Sequence, residues 1–122
     1  MDRNDSYAIA KAVVARILRQ LPAQLRARAE SVPVVYADRP GRELLAAGFE
    51  DDLMGLFDGE AFPDGESGHA LPPRIVLFLE NIREDASDDE DRFREEVRTT
   101  YLHELGHYLG LDEDALADRG LE

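Results

Sequence analysis

The sequence predicts an α+β domain. Three observations carry this reading. An apolar repeat of helical period lies near the amino terminus, an unbroken apolar run of strand length covers residues 74–79, and a second helical stripe crosses residues 88–109. A chain of 122 residues suits one domain, expected to span 1–122, and can bury one core without staples.

Residues 5–20 read as a helix. Ile9, Val13, Ile17 and Leu21 recur every fourth residue, with Lys11, Arg16 and Arg19 off that face. Pro22 interrupts this helix. Proline suits a first helical turn, so a short second helix is expected over 22–28. Residues 32–36 are rich in β-branched side chains and read as a strand, with Pro33 marking its start or a sheet edge. Residues 42–47 suit a helical turn, and residues 53–57 a short strand. Asp58-Gly59 and Asp64-Gly65 are turn signals. The stretch 62–73 holds three prolines and two glycines and is expected to be a surface loop, either a plain connection or a flap beside an active site.

Residues 74–79 form the clearest strand. Six acidic residues then fall between Glu84 and Asp91. Ser87 and Glu90 fit a capping box, and carboxylates in a first helical turn favour its dipole. The Asp-x-Asp-x-Asp-Gly spacing of a calcium loop is absent. The last helix is expected over 88–109, with Phe93, Val97, Tyr101, Leu105 and Tyr108 as its apolar stripe. Gly110 then supplies a left-handed stop.

Composition excludes several classes. There is no cysteine, so disulfides and thiolate-held metals are out. The formal net charge of -13 repels nucleic acid. Arg16, Arg19, Arg26 and Arg28 cluster, at a spacing that reads as one solvated helix face. No run approaches the ~20 apolar residues of a membrane span. The polar start, Met1 to Asp5, leads into no pure apolar signal core, so a cytoplasmic protein is expected; it is expected to be a monomer.

The chemistry concentrates at His103-Glu104-Leu105-Gly106-His107. Histidines four apart on a helix project from one face and can meet one Zn²⁺ at ~2.0–2.1 Å each. Glu104 points to another sector. It is thus free to act as general base on a water attacking a carbonyl, and then to pass the proton to a leaving amine. The motif uses two of only three histidines, leaving His69 in the loop. A third ligand is needed. Glu113, ten residues after His103, is the best placed, with Asp112 and Asp114 as competitors; all three also read as solvated charges or caps of a terminal helix over 115–119.

The run from His103 to Glu113 resembles the zincin signature His-Glu-x-x-His-x-x-Gly-x-x-(His or acid). More widely, the chain resembles the minimal zincin-like metallopeptidases of bacteria. Four upstream segments carry this: Leu-Pro-x-x-Leu-Arg at 21–26, Leu-x-Gly-Leu-aromatic-x-Gly at 53–59, Leu-Pro-x-x-Ile-x-Leu-aromatic at 71–78, and Glu-Glu-Val-Arg-x-Thr-x-x-His-Glu at 95–104. The resemblance implies a minimal zincin fold, in which a small mixed sheet packs against a backing helix and the active-site helix. It also implies an edge strand over the site, residues 75–79 being the expected one, to which an extended peptide or unfolded protein adds. Metzincins floor the site with a methionine turn after the third ligand. Here the methionines are Met1 and Met54, both upstream, so this is not a metzincin. A carboxylate third ligand leaves zinc less Lewis-acidic than a histidine would.

The function expected is zinc-dependent peptide hydrolysis. Two alternatives stand beside it. One is a zinc-binding regulatory domain without turnover. The other is a metal-dependent endoribonuclease, whose His-x-x-x-His-x-x-Gly-x-x-His run ends in histidine where this chain has Glu113, and whose substrate calls for positive charge.

Overall fold

Polar caps set where the first helix begins. The Asp2 carboxylate accepts from the Asp5 N–H at 2.8 Å, and the Asp5 carboxylate accepts from the Asp2 N–H at 3.2 Å. This reciprocal box starts α1 (Arg3–Gln20) two residues before the apolar repeat alone suggests. The computed structural model describes residues 1–59 and 72–111. Within them α1 is followed by α2 (Ala23–Glu30), β1 (Val34–Ala37), α3 (Arg42–Ala46), β2 (Gly55–Asp58), β3 (Arg74–Phe78), α4 (Leu79–Asp85) and α5 (Glu90–Leu109).

α1 buries Ser6, Ile9, Ala10, Val14 and Ile17. Its face drifts from Val13 to Val14, as 3.6 residues per turn requires over several turns. Its carboxyl end is closed from outside. The Arg26 guanidinium donates to the carbonyls of Leu18, Arg19 and Leu21 at 3.0, 2.9 and 2.8 Å. These are carbonyls that a helix end leaves without partners. The expected single solvated arginine face therefore does not form. Arg26 and Arg28 belong to α2, and Arg26 turns inward as a cap.

The sheet is mixed, in the order β1-β3-β2. β1 runs parallel to β3 from Val34↔Ile75 to Ala37↔Phe78, and β2 runs antiparallel to it from Gly55↔Leu77 to Asp58↔Arg74. Pro33 just precedes β1. It has no N–H to give, yet its carbonyl accepts from Ile75 N at 3.0 Å. β3 is thus the central strand, paired on both sides. This corrects the expectation that residues 75–79 form an edge over the site: Ile75, Val76, Leu77 and Phe78 are all buried, and their ladder bonds are taken. Among the described strands the edges are β1 and β2.

β3 also ends earlier than its apolar run. Leu79 opens α4, which buries Leu79, Glu80, Asn81 and Ile82 in succession. α4 closes in a left-handed turn. Ser87 and Asp88 have φ of 55° and 58°, and Asp88 N reaches back to Arg83 O at 3.0 Å. Ser87 therefore caps nothing. The N-cap of α5 is Asp89, whose carboxylate accepts from Arg92 N at 2.9 Å. The capping box expected from Ser87 and Glu90 is replaced by this single cap, and the acidic run is divided between two helix ends.

α5 runs through the core. Phe93, Val97, Tyr101 and Leu105 are fully buried and pack with Ile9 and Ile17 of α1, Ile75 and Leu77 of β3, and Ile82 of α4. The backing helix and the mixed sheet expected of a minimal zincin fold are both present, with α1 and the sheet packed on α5. No helix among the described residues is long and apolar enough to cross a membrane.

One acidic group on α5 is out of balance with its surroundings. Burial first, and the neighbouring Asp85 carboxyl second, push Glu96 up to about 7. A carboxyl whose folded value lies above its unfolded value stabilises the fold fully below the unfolded value. That contribution is lost as pH rises through the folded one. Glu96→Gln is therefore expected to match wild type in melting temperature near pH 4 and to exceed it at pH 8. Thermal melts across this range check the point; parallel curves for the two proteins would contradict it.

Candidate metal centre

The helical spacing of His103 and His107 sets the site. On α5 their rings stand edge to face at 90°, with centroids 4.7 Å apart. Their Nε2 atoms approach to 3.2 Å. Two ligands at ~2.05 Å on a tetrahedral zinc stand ~3.3 Å apart, so the pair already has the spacing of two zinc donors. A Glu104 carboxylate oxygen completes a group of donor atoms that all lie within 4.8 Å of one another. Both histidines are exposed and Glu104 is half-buried, so this face of α5 opens outward while Leu105 beside it is buried in the core. Two imidazole nitrogens at this spacing suit zinc, and the Glu104 oxygen lies near enough to reach a water held there.

Neighbouring elements hold this end of α5. Ser31 Oγ donates to Arg28 O at 2.6 Å, so at 2.9 Å it accepts from the Tyr108 hydroxyl. The Tyr108 ring also packs on Phe57 of β2, centroids 5.9 Å apart. Gly110 ends the helix at φ 71°, a conformation that costs a residue with a Cβ. Leu111 N then returns to Gly106 O at 2.8 Å. The helix therefore ends two residues after His107, where Gly110 predicts. Asp112, Glu113 and Asp114, the proposed third ligands, lie outside the described residues, as does His69.

The approach of β2 to Glu104 was missed from sequence. Gly55, the first residue of β2, lies against α5: a Cβ there would stand 2.5 Å from Thr100 Cγ2 and 3.4 Å from Glu104 Cγ. A glycine inside a strand pattern signals such an approach, and this was the available clue. It lets the edge strand β2 lie directly beside the Glu104 turn. Gly55→Ala is expected to cost about 1–3 kcal/mol of stability by overpacking. Adding Thr100→Ala should recover part of that loss in a denaturant titration. An unchanged midpoint in the single variant would remove the constraint.

A family model for zincin-like metallopeptidases matches residues 29–121, from the end of α2 through the whole of α5. No curated protein matches the chain.

Proposed function

This chain belongs to the zincin-like metallopeptidases, and on that premise we propose that it hydrolyses peptide bonds at the His103–Glu104–His107 site. The observation that carries the proposal is the 3.2 Å pairing of two imidazole nitrogens beside the Glu104 carboxylate. His103 and His107 would hold the zinc, with Glu113 as the proposed third ligand and Asp112 and Asp114 as its competitors. Bound there, zinc would supply Lewis acidity, which lowers the pKa of water toward ~7 and polarises a carbonyl.

The remaining chemistry falls to the chain. Glu104 takes a proton from the water that adds to the scissile carbonyl. It then delivers that proton to the departing amine nitrogen as the C–N bond breaks. Its half-buried position beside Gly55 limits the directions its carboxylate can take. β2, rather than β3, is the strand suited to receive an extended substrate, because its outer ladder is free of other described strands and its first residue touches the Glu104 turn. The substrate class is therefore an extended peptide or an unfolded segment of protein.

The test is a peptide library incubated with zinc-loaded protein and read by mass spectrometry. New termini that vanish with chelator and return with zinc are expected. A full zinc equivalent without cleavage anywhere in the library would overturn the proposal and favour a zinc-binding domain without turnover.

A further inference from the structure

The four arginines on the facing surfaces of α1 and α5 have no part in the chemistry above. Arg16 and Arg19 come from α1, Arg94 and Arg98 from α5, and all four line one cleft of about 420 Å³ between these helices. That volume lies in the ~300–1,000 Å³ range of small-molecule sites. One acidic residue, Glu95, shares the lining. Four of the fourteen basic residues of a chain with net charge -13 thus converge on one recess.

Among the described residues, little opposite charge answers them. Arg94 meets Glu90 at 3.5 Å, an exposed i,i+4 pair of little worth. Among the described residues, no ion pair holds Arg16, Arg19 or Arg98. Like charges brought together without counter-charge repel one another, and a bound anion relieves that cost. The carboxyl end of α1 would ordinarily add negative potential here, but Arg26 already occupies its carbonyls.

We infer that this cleft binds a small polyphosphate ester of the nucleoside polyphosphate class. Arginine forks match phosphate oxygens two at a time, and several phosphates in a row can engage arginines on both helices. The lining also includes the apolar Ala12, Val13 and Ile17 and the Gln20 amide. Apolar lining suits a planar base, and an amide suits the polar edge of one. A nucleic acid polymer fits less well, because it would extend from the recess onto a strongly acidic chain.

Isothermal titration with ATP and with inorganic tripolyphosphate, at low salt, tests the site on the full chain. Both should bind saturably at one equivalent, ATP more tightly, and both should weaken as salt screens the charges. Arg16→Gln and Arg98→Gln should each raise the dissociation constant about tenfold or more, the loss of one charge-assisted contact. Arg42→Gln, an exposed arginine on α3, should change nothing. The double variant His103→Ala/His107→Ala should bind as wild type does, which separates this cleft from phosphate captured at the metal centre. Absence of saturable binding would overturn the inference, as would binding unchanged in Arg16→Gln and Arg98→Gln or lost in the histidine variant. Equal affinity for the two probes would overturn the place given to the base.

Discussion

Replacing Glu104 by Gln is expected to leave zinc content unchanged while lowering peptide hydrolysis by about 10²–10⁴-fold, the usual worth of a general base. The amide keeps the size of the carboxylate and the same Cγ beside Gly55, so the turn of α5 beside β2 is undisturbed. The two imidazoles keep their 3.2 Å spacing, so zinc binding is expected to persist. What is lost is the group that takes the proton from water and returns it to the amine. Zinc analysis and steady-state rates on the same preparation separate binding from chemistry. A variant that cleaves at the wild-type rate would remove Glu104 from the mechanism.

The second large effect is on the metal. His103→Ala or His107→Ala removes one of two imidazoles that α5 presents ready-spaced. Each is expected to lower zinc affinity by more than the ~10–100-fold that losing a residue merely supporting a ligand costs. Competition with a chromogenic chelator measures it. Tyr108→Phe is the matched control, because it removes only the hydroxyl that donates to Ser31 and leaves the ring on Phe57. Alanine at Asp112, Glu113 and Asp114 in turn, read by the same competition, identifies the third ligand. The largest loss is expected at Glu113.

Much of this was readable from local pattern. The stripe Phe93, Val97, Tyr101 and Leu105 is the core face of α5, and the His-Glu-x-x-His spacing placed both imidazoles on one side of it. Gly110 ended the helix where a left-handed residue is needed. The strand pairing was less readable, since register depends on residues distant in sequence. Even so, β3 carried a signal: an unbroken apolar run suits a strand buried on both faces and paired on both edges, and not an edge strand.

α4 was invisible for a related reason. Its buried residues, Leu79 through Ile82, are consecutive, so no helical period appears. Asn81 there looks like a surface residue, yet its amide donates to the carbonyls of Asp51 and Leu53 at 2.8 and 2.9 Å and secures the approach to β2. Ser87 resembled a cap because its type is right for one. The positive φ that it shares with Asp88 was not predictable from residue type, and it shifted the cap to Asp89. The approach of Gly55 to Thr100 and Glu104 was hinted at only by the glycine itself.

Hydrolysis is proposed to depend on one zinc held at His103 and His107. The most direct test is to titrate metal-free protein with zinc while following peptide cleavage. The rate should climb from zero and level off at one equivalent of zinc per chain. Cleavage that is already full without metal, or that stays at zero after one equivalent has bound, would contradict the account.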